Sequence, residues 1–207
     1  MLEIDDLECA RGGRTLFRGR SFALRGGELL HVAGANGSGK TSLLRILCGL
    51  LPPQRGEVRW QGSPIRALRE EYAKQLVYLG HAAALKDDLT AAENLSIACR
   101  IAGKQFRPSE IHRALEIFGV PDEGALARKL SQGQRRRAVL ARLALSESVP
   151  LWLLDEPFAA LDAAAARLAE ELIAKHVARG GIAVYTTHQA AGIEASARVL
   201  SLDGPDA

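Results

Sequence analysis

The sequence predicts an α/β fold in which helices cover both faces of a mainly parallel sheet, with an antiparallel β portion and an inserted helical segment beside it. Three observations carry that expectation. Leu29–Ala33 is a short, mostly apolar run, and Leu151–Leu154 and Ile182–Thr186 are apolar on both faces, the pattern of strands in a parallel sheet covered by helices. The first 80 residues read as strands and turns feeding a single helix. From about residue 84 to residue 147 the texture changes to alanine- and leucine-rich stretches with charged faces, the pattern of helices.

Taken in order, Leu2 to Cys9 alternates as a strand does, and Arg11-Gly12-Gly13-Arg14 is a hairpin turn. Phe17 to Leu24 predicts the returning strand, before a turn at Gly26-Gly27. Leu29–Ala33 then runs into a glycine-rich loop. Leu43, Leu44, Leu47 and Leu50 recur at helical spacing between Thr41 and Leu50, which gives that helix one buried face, and Pro52-Pro53 is expected to stop it. In the middle segment Pro108 and Pro121 are expected to break the helices. A helix of Ala, Leu and Glu from Ala163 to Ala178 separates the last two apolar runs.

A chain of 207 residues with 47% apolar content can form one domain with a proper core. Its 27 basic and 24 acidic residues, a formal charge of +3, describe a mixed surface rather than the basic footprint of a nucleic-acid binder, so no nucleic-acid partner is expected. Cys9, Cys48 and Cys99 are far apart and lack CxxC spacing, which predicts buried reduced thiols instead of zinc or disulfides. No apolar run approaches the roughly 18 residues that suggest a membrane span, and Met1 to Asp6 lacks the basic and apolar regions of a signal peptide. The chain is therefore expected in the cytoplasm, with any membrane role exercised through partners.

Gly34-Ala35-Asn36-Gly37-Ser38-Gly39-Lys40-Thr41 fits G-x-x-x-x-G-K-[ST] and stands between a strand and a helix, the context the motif requires. Glycines let backbone wrap phosphate oxygens, and unpaired N–H groups at the helix start add positive potential. Lys40 then places a charge between the β- and γ-phosphates of ATP, and the Thr41 hydroxyl is a ligand for Mg²⁺. Ser42 completes this set of nucleotide contacts. By itself the motif leaves kinases, GTPases, motors and transport ATPases open.

The run Leu151–Leu154 ends in Asp155-Glu156-Pro157, which puts two carboxylates where a buried strand leaves the sheet, the rim at which open α/β sheets bind ligands. Asp155 is the candidate Mg²⁺ residue, and Glu156 the residue that orients and polarises an attacking water. Thr186-Thr187-His188 also follows a buried strand, so His188 is expected at the same rim, within reach of the γ-phosphate. Leu130-Ser131-Gln132-Gly133-Gln134 precedes an Arg- and Ala-rich helix; Ser131 is its N-cap, and the Gly133 amide can grip phosphate. A second phosphate-binding helix start within one chain makes sense if it closes over ATP held by another copy. Arg135-Arg136-Arg137 reads as a solvated or interface face, and His31, His112 and His176 as structural or exposed.

Together, Walker A at Gly34 to Thr41, the signature Leu130 to Gln134, Walker B at Leu151 to Glu156, a D-loop at Ala160-Leu161-Asp162 and the switch histidine His188 resemble the ABC ATPase family over nearly the whole chain. The resemblance implies a P-loop NTPase fold with a mainly parallel RecA-like sheet, an antiparallel β subdomain and an inserted helical subdomain. Residues 1–83 and 148–207 would form the nucleotide-binding core with its β subdomain, and residues 84–147 the helical one carrying the signature. It also implies a head-to-tail homodimer, each ATP sandwiched between one copy's Walker A and the other's Ser131, Gly133 and Gln134, with Asp162 nearby. Three positions depart from the family pattern. Arg11 replaces the aromatic that stacks on adenine, although a guanidinium also stacks on a flat base. His81 replaces a glutamine and joins Glu156 and His188 as a candidate catalytic residue, and Gln132 replaces the first signature glycine.

Leu79-Gly80-His81, Leu89 to Leu95, Leu151 to Phe158 and Thr186-Thr187-His188-Gln189 are similar to the branch of the family that serves cytochrome c maturation, a haem-export system. That resemblance implies the membrane subunits CcmB and CcmC as partners, the haem chaperone CcmE as an indirect one, and a place on the cytoplasmic face of the bacterial inner membrane. An ATPase subunit for another small substrate is the nearest rival. A soluble ABC protein acting on ribosomes or DNA, and a nucleotide switch that no longer hydrolyses, are further ones.

Overall fold

The computed structural model describes residues 1–121, 124–188 and 192–203; Gln189 lies outside them. Two sheets organise the chain. Strands β1 (Leu2–Arg11), β2 (Arg14–Leu24), β4 (Arg55–Trp60) and β5 (Ser63–Pro64) form an antiparallel sheet in the order β2-β1-β4-β5. Strands β3 (Leu29–Ala33), β6 (Leu76–Leu79), β7 (Leu151–Asp155), β8 (Ile182–Thr186) and β9 (Arg198–Ser201) form a parallel one in the order β6-β7-β8-β3-β9. Helices α1 (Lys40–Leu47), α2 (Ile65–Leu68) and α3 (Glu70–Ala73) precede β6. Helices α4 (Ala91–Ile101), α5 (Pro108–Ile117) and α6 (Gln132–Ala144) lie between β6 and β7, and α7 (Ala163–Ala178) joins β7 to β8. The α/β fold class expected from the sequence is the one observed.

Strands β7 and β8 are buried on both faces, and their successive side chains point to opposite sides of the sheet. Leu151, Leu153, Ile182 and Val184 pack with α1 and the antiparallel sheet, among Leu43, Leu44, Ile46, Leu47, Val58 and Trp60. Trp152, Leu154, Ala183 and Tyr185 face the opposite core, built with Leu95, Leu115, Leu140 and Ile173 of the helices. Each fully buried Leu, Ile or Val contributes about 1.5–3 kcal/mol. A one-residue slip of β7 would exchange its two faces.

Helix ends differ from the sequence expectation in two places. Helix α1 stops at Leu47, not at Pro52-Pro53: Gly49 takes φ 77°, and the Gly49 and Leu50 N–H groups return to the carbonyls of Ile46 and Arg45. A left-handed glycine satisfies the last carbonyls and ends the helix before the prolines are reached. Pro108 starts α5 instead of breaking a helix, since the first helical position needs no N–H. The cysteines are free, Cys9 and Cys99 buried and Cys48 half-buried, and burial pushes the Cys48 thiol up to about 11. Among the described residues no helix is long and apolar enough to cross a membrane.

Candidate active site

All five parallel strands end at one rim. Gly34 to Gly39 follow β3, Gly80-His81 follow β6, Asp155-Glu156 close β7, Thr187-His188 follow β8 and Asp203 follows β9. Loops at the carboxyl ends of parallel strands are where such sheets bind ligands. A cleft of about 710 Å³ opens there, lined by Arg11, Asn36, Gly37, Gly39, Lys40, Thr41, Ser42, His81, Asp155, Glu156 and His188.

The phosphate loop owes its shape to glycines. Gly39 has φ 107°, and a Cβ there would come within 3.0 Å of the Phe17 ring, so only glycine fits between the loop and β2. Lys40 is buried, with Nζ donating to the carbonyls of Gly34 at 2.7 Å and Ala35 at 3.0 Å. The ammonium is thereby arched over the loop. Ser38 Oγ is buried without a hydrogen-bond partner, an unmet polar atom inside a loop built for phosphate. On the far side of the loop the Ala35 N–H donates to both carboxylate oxygens of Asp203, at 2.9 and 3.1 Å.

Asp155 is the hub of the rim. It is 1% exposed, and its two oxygens accept from Thr41 Oγ1 and Thr186 Oγ1, each at 2.9 Å. A carboxylate and a hydroxyl oxygen side by side suit a hard cation that keeps water and substrate oxygens as its other ligands. No group of three or more His, Cys, Asp or Glu side chains is poised for a metal among the described residues, so that partial donor set fits Mg²⁺ held jointly with phosphates and fits no all-protein cage.

Glu156 has φ 53°, a left-handed conformation that costs a residue with a side chain about 1–3 kcal/mol. Its N–H donates to Thr186 Oγ1 at 2.9 Å. Its carboxylate meets His188 twice: the His188 N–H donates to Oε2 at 3.3 Å, and His188 Nε2 lies 3.4 Å from Oε1. The acid is thus held at the cleft wall with an exposed imidazole beside it. Arg11 and His81 are exposed lining residues of the same cleft.

Ser131, Gly133, Gln134 and Asp162 are not among the residues that line the cleft. Ser131 is exposed and forms a reciprocal cap on α6, its Oγ accepting from the Gln134 N–H at 3.2 Å while Gln134 Oε1 accepts from the Ser131 N–H at 2.8 Å. A Cβ at Gly133 would lie 3.0 Å from the Ala160 carbonyl, so the signature turn rests closely on the Ala160–Asp162 segment. Asp162 caps α7 through the Ala165 N–H at 2.8 Å and pairs with Arg137 at 3.7 Å.

The arginine triplet is not a solvated face. Arg135 pairs with Asp87 at 2.7 Å, and Arg136 is only 4% exposed, its guanidinium turned onto backbone carbonyls of the rim. The signal was present in the sequence: Arg136 stands four residues before Leu140 and seven before Leu143, in phase with the buried stripe of α6. Thr186, which bonds both Asp155 and Glu156, and Asp203 also escaped sequence reasoning. His176 is structural, stacked on Trp152 at 4.0 Å.

This fold and this rim define a nucleotide-binding cassette, and the chain belongs to the ABC transporter family, whose model matches residues 17–159. It is an ATP-binding ATPase of that family. The cytochrome c biogenesis ATP-binding export protein CcmA of Dechloromonas aromatica is 52% identical over 196 residues, covering 94% of this chain and 96% of that relative. The protein of the same description from Aromatoleum aromaticum is 51% identical over 98% of this chain and 95% of its own. A solved ATP-binding subunit of an ABC transporter superposes with a TM-score of 0.83 at 25% identity, over 97% of this chain and 85% of that one. The bacterial cassette MJ0796, solved as a dimer, gives 0.83 at 22% identity over 100% and 97%, a likeness of fold.

Proposed function

We propose that this chain is the ATP-hydrolysing subunit of an export complex for cytochrome c biogenesis, docked on the cytoplasmic face of the bacterial inner membrane. The hydrolytic part rests on Glu156: a carboxylate presented into the cleft from a strained turn, beside His188 and one residue beyond the buried Asp155. The biogenesis part is supported by relatives about half identical over nearly the full length.

In this reading Lys40 and the loop amides from Gly37 to Ser42 bind the phosphates, and Arg11 stacks on the base. Thr41 and Asp155 would hold Mg²⁺, which neutralises charge on the phosphate oxygens. Glu156 orients a water for attack at the γ-phosphorus and accepts its proton. His188 steadies Glu156 and contacts the γ-phosphate, and His81 links the rim to the membrane subunits. Each cleft is completed by a second copy, whose Ser131, Gly133, Gln134 and Asp162 cover the nucleotide. CcmB and CcmC are the membrane partners, haem the cargo chemistry they serve, and release of haem-loaded CcmE the step that hydrolysis drives.

Affinity purification of the chain from detergent-solubilised membranes, followed by identification of what accompanies it, tests the assignment. Recovery of CcmB and CcmC is the expected result. Recovery of an unrelated permease pair would reassign the cargo while leaving the ATPase intact.

A further inference from the structure

The Arg136 guanidinium touches the backbone of two rim loops at once. Nη2 donates to the carbonyls of Asp155 at 2.8 Å and Glu156 at 2.5 Å, and Nε lies 3.4 Å from the Pro157 carbonyl. Nη1 donates to the Gly80 carbonyl at 2.9 Å and reaches the His81 carbonyl at 3.5 Å. A planar fork with five donors can span two loops in this way; an ammonium cannot. Burial lowers the proton affinity of this guanidinium, and the nearby Asp155 and Glu156 charges act in the opposite sense.

Glu156 is therefore gripped through both of its backbone polar groups. Thr186 takes its N–H, and Arg136 takes its carbonyl. The residue so gripped has φ 53°, a conformation that surrounding contacts must impose on a side-chain-bearing residue. We infer that Arg136 is a positioning residue: it fixes the left-handed turn that aims the Glu156 carboxylate into the cleft and ties that turn to the Gly80–His81 loop. Its own helix, α6, begins at the signature one turn earlier. The same side chain therefore makes the placement of Glu156 depend on how α6 sits against the parallel sheet. The inference rests on the reading of Glu156 as the catalytic base.

The test compares wild-type full-length chain with Arg136→Lys, Arg136→Gln, Glu156→Gln and the double variant Arg136→Gln/Glu156→Gln, measuring hydrolysis at saturating ATP and ATP affinity separately. Both Arg136 variants are expected to lose about 10²-fold in kcat, the cost of a misplaced catalytic group, with ATP affinity held within about threefold. Lys should not rescue, because it keeps the charge and loses the fork. In the double variant the Arg136 change should add little to the loss from Glu156→Gln, since it acts through that residue. Wild-type kcat in Arg136→Lys, or losses that multiply in the double variant, would overturn the proposal while leaving Glu156 as base. Wild-type hydrolysis in Glu156→Gln would instead remove the reading beneath it. Should Arg136→Gln fail to fold, Arg136→Lys carries the test alone through its kcat and affinity.

Discussion

The rim of the parallel sheet and the start of α6 are the two regions the proposed nucleotide site draws on, yet they are built in opposite ways. At the rim, Lys40, Asp155 and Thr186 are buried; Lys40 is bonded within its own loop, and Asp155 joins Thr186 and, across 114 residues of sequence, Thr41. At α6, Ser131 and Gln132 are exposed, and the polar contacts of Ser131 are made to its own helix turn. A network that binds itself can be assembled by one chain. A capped but exposed helix start has its geometry set by its own turn. The difference teaches that the rim is a network complete within one chain, whereas the start of α6 leaves its outward face open, as the proposed pairing of two copies requires.

The largest effect should come from the finished half. Glu156→Gln keeps the side chain's size while removing its basicity, so hydrolysis should fall by about 10²–10⁴-fold with ATP still bound, and gel filtration with ATP should show a trapped dimer. Hydrolysis at the wild-type rate would disqualify Glu156. Gly133→Asp, which places a negative charge at the offered helix start, should lower hydrolysis by about 10²–10³-fold and leave ATP binding by the single chain intact. Mixing that variant with Lys40→Ala sharpens the comparison: a mixed dimer holds one site with both halves unaltered, so the mixture should recover activity that neither variant has alone. No recovery would mean the two halves do not belong to a shared site.

Lys40→Ala should weaken ATP binding by about 10- to 100-fold, the range for a charge-assisted contact, read by titration calorimetry. The smallest effect lies far from the rim. His176 is buried against Trp152, and its Nε2–H donates to the Ile182 carbonyl at 3.2 Å. Burial, the leading cause, lowers its proton affinity in the folded state. The unfolded chain therefore binds the proton more readily, and the stability that a neutral His176 contributes is complete above about pH 6.5 and is lost as pH falls below that value. Melting temperature should drop by about 2–4 °C per kcal/mol lost as pH falls from 7 to 5, and His176→Gln should flatten that part of the profile. An unchanged slope would assign the acid sensitivity to carboxylates.

Much of this was legible in the sequence because the signals are local. The spacing from Gly34 to Thr41, the apolar runs of β3, β7 and β8, and the carboxylates at the end of β7 are each contained within a few residues. Contacts between distant residues were not legible. Asp203 meets Ala35 across 168 positions, and Arg136 binds carbonyls, which every residue possesses and no sequence distinguishes. The end of α1 departs from the sequence expectation where two breakers compete. Gly49 acts before Pro52 because a left-handed turn closes a helix at once, whereas proline only forbids its continuation. The burial of Arg136 follows from its phase within α6, which overrides the solvated position that its charge suggests.

The Trp152–His176 stack gives the molecule an internal optical probe. The chain has two tryptophans, one in each sheet: Trp60 closes β4, and Trp152 lies in β7 three residues before Asp155. Trp152 is 1% exposed with no hydrogen-bond partner for its indole nitrogen, so its emission should be blue-shifted, and an imidazole plane lies 5° from parallel above it. In a Trp60→Phe background, the fluorescence of a single side chain would therefore report whether the strand carrying Asp155 is still packed against α7, without any label at the site itself.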